Sequence, residues 1–190
     1  MTHTAAAGDA TVDRSTELAT VFASETAFRA FYERALPRVY GYLFHRSGSD
    51  PAVAEELTQQ TFTAAVFERH AFDGRSAPLT WLTAIARHKL ADHFRRLARE
   101  ENRRLRLVVR EIAVDGGARA WRLTDEREAL SHALVTLPAL QRAVLILHYA
   151  DGLSVREIAV QLGKTESATE SLMTRAREAF RSSYSESTDV

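Results

Sequence analysis

Apolar residues in this chain recur every three to four positions over most of its length, and no stretch alternates with period two for long enough to make a strand. That spacing lines up apolar groups along one side of a helix, so they can leave water only by packing helix against helix. The chain is therefore expected to be all-α. Phe28, Phe31, Tyr32, Ala35, Val39, Tyr42 and Leu43 mark a first helix, which Pro37 is expected to bend or split. A turn-rich stretch at 47–51 leads to a second helix, capped near Asp50 and carrying Ala54, Leu57, Phe62, Ala65 and Val66. Residues 72–78 interrupt the pattern, after which Trp81, Leu82, Ile85, Leu90 and Phe94 mark a third helix.

Between residues 100 and 125 the periodicity weakens. Leu105, Leu107, Val108 and Ile112 suit at most a short helix, and Asp115-Gly116-Gly117 predicts a break. The pattern returns at Ala129, Leu130, Ala133, Leu134 and Leu137, with Pro138 placed to open the next helix, which runs through Val144, Leu145 and Leu147 to a stop at Asp151-Gly152. Ser154-Val155-Arg156-Glu157 fits a capping box, and Gly163 is positioned to end that helix at Leu162 in a left-handed conformation. A last helix is expected over 166–180. The organisation is thus two small helical domains, 25–97 and 126–181, joined by a flexible connector, 98–125, with tails 1–24 and 182–190 expected to be mobile.

Charge narrows the function. The chain carries 25 basic and 25 acidic side chains, so it is neutral overall, yet residues 87–110 hold nine basic groups (Arg87, Lys89, Arg95, Arg96, Arg99, Arg103, Arg104, Arg106, Arg110) against three acidic ones (Asp92, Glu100, Glu101). One stripe is built to face a polyanion, inside a protein otherwise unattractive to polyanions. The stripe begins on a helix that also carries Trp81 and Phe94, with Phe72 in the loop before it. Rings beside cations are what unpaired nucleic acid requires, although a solvated surface helix with Trp81 in the core would give the same composition. The absence of cysteine excludes disulfides, thiol catalysis and Cys-based zinc sites. No apolar run approaches a membrane span and no signal-peptide core opens the chain, so the protein is expected to be cytoplasmic.

Two compact helices joined at Gly163 have the outline of a helix-turn-helix, an outline shared by any helical hairpin packed on a neighbour. In the second of them Thr169, Met173, Ala176 and Phe180 fall on the expected inward stripe, leaving Glu170, Ser171, Thr174, Arg175 and Glu178 toward solvent. Other apparent motifs fail on geometry. Gly163-Lys164-Thr165 mimics the end of a phosphate loop, but Ile158 stands where its first glycine is required. His88 and His93 diverge around a helix, Glu55 and Glu56 point apart, and no serine sits in a nucleophile elbow. No cofactor, metal or catalytic constellation is expected, and the chain is not read as an enzyme.

Ala54-Glu55-Glu56-Leu57-Thr58-Gln59-Gln60-Thr61-Phe62, followed by Trp81-Leu82-Thr83-Ala84-Ile85-Ala86-Arg87 with Asp92 and Arg95-Arg96, resembles region 2 of bacterial sigma factors. Leu137-Pro138-Ala139-Leu140-Gln141-Arg142, then Gly152-Leu153-Ser154 with Glu157-Ile158-Ala159 and Leu162-Gly163, closing on Arg175-Ala176-Arg177, resembles region 4. The two in this order, without regions 1.1 or 3, resemble the extracytoplasmic-function (ECF) group of the sigma-70 family. The resemblance implies an alternative sigma factor that binds core RNA polymerase, recognises promoter minus-thirty-five and minus-ten elements and promotes melting. It places Glu56, Leu57, Gln59 and Phe62 at the polymerase clamp, and Phe72, Trp81, Arg87, His88, Lys89, Arg95 and Arg96 at the minus-ten strand. Glu170, Ser171, Thr174 and Arg175 fall at the minus-thirty-five duplex. It also implies single-stranded and duplex promoter DNA as ligands, and an anti-sigma protein as a further partner.

The chain departs from the family's usual pattern at Val53, Gln60 and His88, and in the last helix at Glu170 and Leu172, where basic residues are common. The alternative is a stand-alone helix-turn-helix regulator of duplex DNA, against which stands the first domain with its own basic, aromatic helix.

Overall fold

The computed structural model describes residues 21, 24–73, 75–108 and 126–188. Among these residues the secondary structure is helical, with no strand. The chain divides into two compact units, residues 1–90 and 91–190.

In the first unit, α1 (Glu25–Arg46) is opened by Ser24, whose side chain accepts from Ala27 N, and α2 (Pro51–Phe67) by Asp50, which accepts from Ala52 N and Val53 N. Pro51 occupies the first turn of α2, where its missing N–H costs nothing. Pro37 does not split α1 into two elements, since the helix runs through it. α1 packs on α2. Phe31, Ala35, Val39 and Leu43 from one helix and Ala54, Leu57, Phe62 and Ala65 from the other are buried. Two threonines share that interior, and their hydroxyls are satisfied within α2: Thr58 donates to Ala54 O and Thr61 to Leu57 O, each at 2.7 Å. A 3₁₀ turn (Arg69–Ala71) leads to α3 (Pro78–Val108), a helix of 31 residues that crosses the division between the units. Helical structure therefore continues past residue 98, where the connector was expected to begin. The rest of that connector, from 109 to 125, and nearly all of the N-terminal tail lie outside the described residues.

The second unit contains the remainder of α3 with α4 (Glu126–Thr136), α5 (Ala139–Leu145), α6 (Val155–Leu162) and α7 (Glu166–Thr188). α7 is the hub, touching α4, α5 and α6. It continues eight residues past its expected end at Phe180. Pro138 is not the first residue of α5 but its cap, with φ −50° and ψ 142°, and it brings no side-chain acceptor. Glu101 of α3 fills that role: both carboxylate oxygens accept from Ala139 N at 3.1 Å, placing a negative charge at the positive end of α5. Beside it, the Arg142 guanidinium lies over the Phe94 ring at 5.6 Å. Burial lowers the Arg142 pKa and the nearby Glu101 charge opposes that shift.

α5 passes into a π turn (Ile146–Ala150) that ends where Gly152 takes φ 70°. The start of α6 is as the sequence predicts: Ser154 accepts from Glu157 N while Glu157 accepts from Ser154 N. Its end is too, at Gly163 with φ 62°, where Lys164 N reaches Ala159 O at 2.9 Å. Loss of this cap sets a measurable quantity. Ser154→Ala should lower stability by about 1 kcal/mol, read as a lower urea midpoint with an unchanged slope.

Candidate polymerase and nucleic-acid interfaces

Three surfaces carry the residues singled out in the sequence. The first is α2. Glu56 and Gln59 are exposed, and Gln60 donates to Glu56 Oε1 at 2.7 Å. Leu57 and Phe62 are not surface groups. Leu57 is 0% exposed and Phe62 6%, and the Phe62 ring lies 4.6 Å from that of Tyr32. Both lie on the packed side of α2, with Ala54, Thr58, Thr61 and Ala65, so in this structure they support the exposed positions beside them. The structure adds a residue the sequence did not single out. Phe67, at the end of α2, is 78% exposed and shares a shallow cleft with Glu56, Gln59, Gln60, Thr63 and Lys89. Its position one, two and three turns beyond Thr63, Gln60 and Glu56 was the available signal.

The second surface is the loop before α3 and the helix it feeds. Asp73 Oδ1 accepts from Arg75 N at 3.0 Å in the loop before Pro78. Phe72 and Trp81 meet edge to face, ring centres 5.5 Å apart at 67°, and both are half-buried. Neither ring is fully in the core, so each retains solvent-accessible area. Along α3, His88 and Arg96 are exposed and Arg87 and Lys89 half-exposed. Arg95 is engaged differently: it pairs with Asp92 and donates to Gln161 O at 2.7 Å, at the end of α6. Arg95 and Arg96 are thus neighbours in sequence with opposite duties. The first ties two helices of the second unit together and the second faces water.

The third surface is α7. Thr169, Met173 and Ala176 are buried, and Phe180 is half-buried, as their spacing predicts. Glu170, Ser171, Thr174, Arg175 and Glu178 are exposed. Thr165 caps the helix, its side chain accepting from Ala168 N at 3.2 Å. Arg175 Nε donates to Ser171 O and Thr174 Oγ1 to Glu170 O, both at 3.2 Å, so the polar groups lie along one helical face. Leu172 is 8% exposed. An apolar residue there is a packing residue and removes nothing from the solvent face, whereas Glu170 remains as a genuine acidic feature of it. Among the described residues no cluster of three His, Cys, Asp or Glu side chains is arranged to hold a metal ion, and no helix is long and apolar enough to cross a membrane.

These three surfaces fall in segments with known relatives. The Sigma-70 region 2 family matches residues 31–100 and the Sigma-70, region 4 family residues 127–180. The probable RNA polymerase sigma-C factor of Mycobacterium bovis is 32% identical over 177 residues, covering 93% of this chain and 94% of the relative. The ECF RNA polymerase sigma factor SigX of Bacillus subtilis is 29% identical and covers 83% of each chain. A solved structure of the sigma factor RpoE from Bartonella quintana, in complex with the anti-sigma factor NepR, shares the fold with a TM-score of 0.50 and 24% identity, covering 82% of this chain and 95% of that one. The chain belongs to the ECF group of the sigma-70 family of RNA polymerase sigma factors.

On α2, packing and any docking role can be tested apart. Leu57→Ala should cost about 2 to 5 kcal/mol in urea denaturation, because it opens a cavity in the interior. Glu56→Ala, Gln59→Ala and Phe67→Ala together should leave the unfolding midpoint nearly unchanged and weaken binding to core polymerase in a pull-down. Retention of full core affinity by this triple variant would remove the α2 face from the interface.

Proposed function

We propose that this chain is a promoter-specificity subunit that joins core RNA polymerase, reads the minus-thirty-five duplex with α7 and opens the minus-ten element with the loop at 72–80 and α3. It has no catalytic step of its own, and it acts in the cytoplasm, where the polymerase works. The observation that carries this reading is the pairing of two different nucleic-acid surfaces. One has half-exposed aromatic rings leading into a cationic helix, suited to unpaired bases, and the other has a polar helical face suited to a major groove.

The energetics support a division of labour. Flipping a base out of the stack costs a few kcal/mol, and stacking returns about 1 to 3 kcal/mol per base, so rings and cations must act together to hold the open strand. Phe72 and Trp81 supply the rings, while Arg87, His88, Lys89 and Arg96 supply cationic or hydrogen-bonding groups. On α7, Ser171, Thr174 and Arg175 supply donors to base edges or phosphates, and Glu170 is suited to accept from a cytosine amino group. Neutral total charge keeps the free protein off bulk DNA. Glu56, Gln59 and Phe67 are the proposed contacts with the polymerase, with Leu57 and Phe62 holding α2 in place beneath them. An anti-sigma protein is the further partner that family membership leads us to expect.

Run-off transcription with core polymerase on a promoter library tests the whole reading, and defined start sites dependent on this chain are the expected result. Tight, sequence-specific binding of duplex DNA by the free chain at physiological salt would favour a stand-alone regulator. Within the holoenzyme, His88→Ala with Arg96→Ala should reduce permanganate reactivity of unpaired thymines more than it reduces closed-complex binding. Arg175→Ala should instead weaken upstream duplex contacts, by about 1 to 3 kcal/mol if the contact is bidentate to a base and by less for a phosphate.

A further inference from the structure

The basic stripe does not stop where the minus-ten surface stops. Arg99, Arg103 and Arg106 continue along α3, all exposed, and with Asn102 they line one shallow recess. The region 2 match ends at residue 100, so Arg103 and Arg106 lie beyond it. At about 100° per residue, Arg96, Arg99, Arg103 and Arg106 fall within an arc of about 80°. On the other side of the same turns, Phe94 and Ala98 are buried and Glu101 caps α5. This part of α3 therefore has one face fixed by packing and the opposite face occupied by guanidinium groups. Arg103 pairs with Glu100 at 3.0 Å, but both side chains are at least half exposed, and such pairs yield readily to a stronger anion. Among the described residues no ion pair engages Arg99 or Arg106.

We propose that Arg99, Arg103 and Arg106 form a second DNA site, which grips the phosphate backbone of the duplex just upstream of the melted segment. This deepens the sigma-factor reading and rests on it. Chemistry selects the ligand. The aromatic residues of α3 end at Phe94, and residues 95–108 contain none, so this stretch offers charge without any platform for unpaired bases. Spacing agrees: Arg99 to Arg106 spans about 10 Å of helix rise, the axial length of about three successive phosphates on one strand. Chain order gives the direction, because Arg99 to Arg106 follow the proposed minus-ten residues in sequence and precede the segment proposed to read the upstream element.

The test uses holoenzyme assembled from the full chain and core polymerase, with two probes: a fork-junction promoter carrying upstream duplex, and the single-stranded minus-ten oligonucleotide alone. Arg99→Gln, Arg103→Gln and Arg106→Gln together keep helix propensity and remove the charge. On the fork this variant should bind roughly tenfold more weakly near 0.1 M salt, with the slope of log affinity against log salt shallower by about 2 to 3. Binding to the oligonucleotide should not change. The corresponding triple Lys variant should restore affinity and slope on the fork, since phosphate neutralisation needs charge rather than a planar fork. An unchanged slope on the fork, or an equal loss on both probes, would overturn the proposal. If holoenzyme with the unaltered chain binds the fork no better than core alone, the sigma-factor reading itself fails and this site falls with it, a result visible before any variant is made.

Discussion

The architecture depends on the two-sidedness of α3. Arginine favours the helix, but a helix isolated in water is marginal, so α3 must bury an apolar side to be held in place. Leu82, Ile85, Ala86 and Leu90 bury theirs in the first unit, and Ala91, Phe94 and Ala98 in the second. With those faces fixed, the remaining positions are forced outward, and the sequence fills them with cations. The same burial that stabilises the helix therefore concentrates positive charge in one place on a neutral protein, and the charge density that suits DNA follows from packing.

Helix ends form the second recurring constraint. Each short helix of the second unit leaves backbone donors and acceptors that must find partners, and the chain solves this in different ways at different ends. α6 is closed locally, by Ser154 and Glu157 at its start and Gly163 at its end. α5 has a proline at its cap and takes its acceptor from Glu101, 38 residues earlier. The tight, self-contained caps of α6 fix the turn into α7, and that turn determines which residues of α7 face solvent. Presentation of Ser171, Thr174 and Arg175 is thus a consequence of a capping box and one left-handed glycine.

Much of the candidate site was legible in the sequence because it is encoded by local spacing. The inward stripe of α7, the caps at Asp50 and Ser154 and the break at Gly163 all follow from side-chain chemistry within four residues. The charge block at 87–110 needs only counting. What the family motif could not give was the sorting of neighbours within it, although apolar spacing alone had put Leu57 and Phe62 on the packing side of the helix. The resemblance grouped Glu56, Leu57, Gln59 and Phe62 as docking positions, but helical geometry sends Leu57 and Phe62 into the interior and leaves the other two outside, with Phe67 unexpectedly joining them. Leu172 likewise read as a departure on the recognition face and is a packing residue. The continuation of α3 to Val108 was missed because polar, charge-rich turns carry little apolar periodicity even when helical.

The sequence by itself determined that the protein is helical, where most helices begin and end, that two sigma-type segments occur in order, and that positive charge is gathered between them. These depend on interactions between residues close in the chain, whose energies act before any tertiary contact forms. Tertiary structure decided which motif residues are available. It buried Leu57 and Phe62, committed Arg95 to Asp92 and the Gln161 carbonyl, and gave Glu101 the task of capping α5. The physical reason is that exposure and pairing are properties of what lies over a face, and that is set by residues distant in sequence which no local spacing specifies.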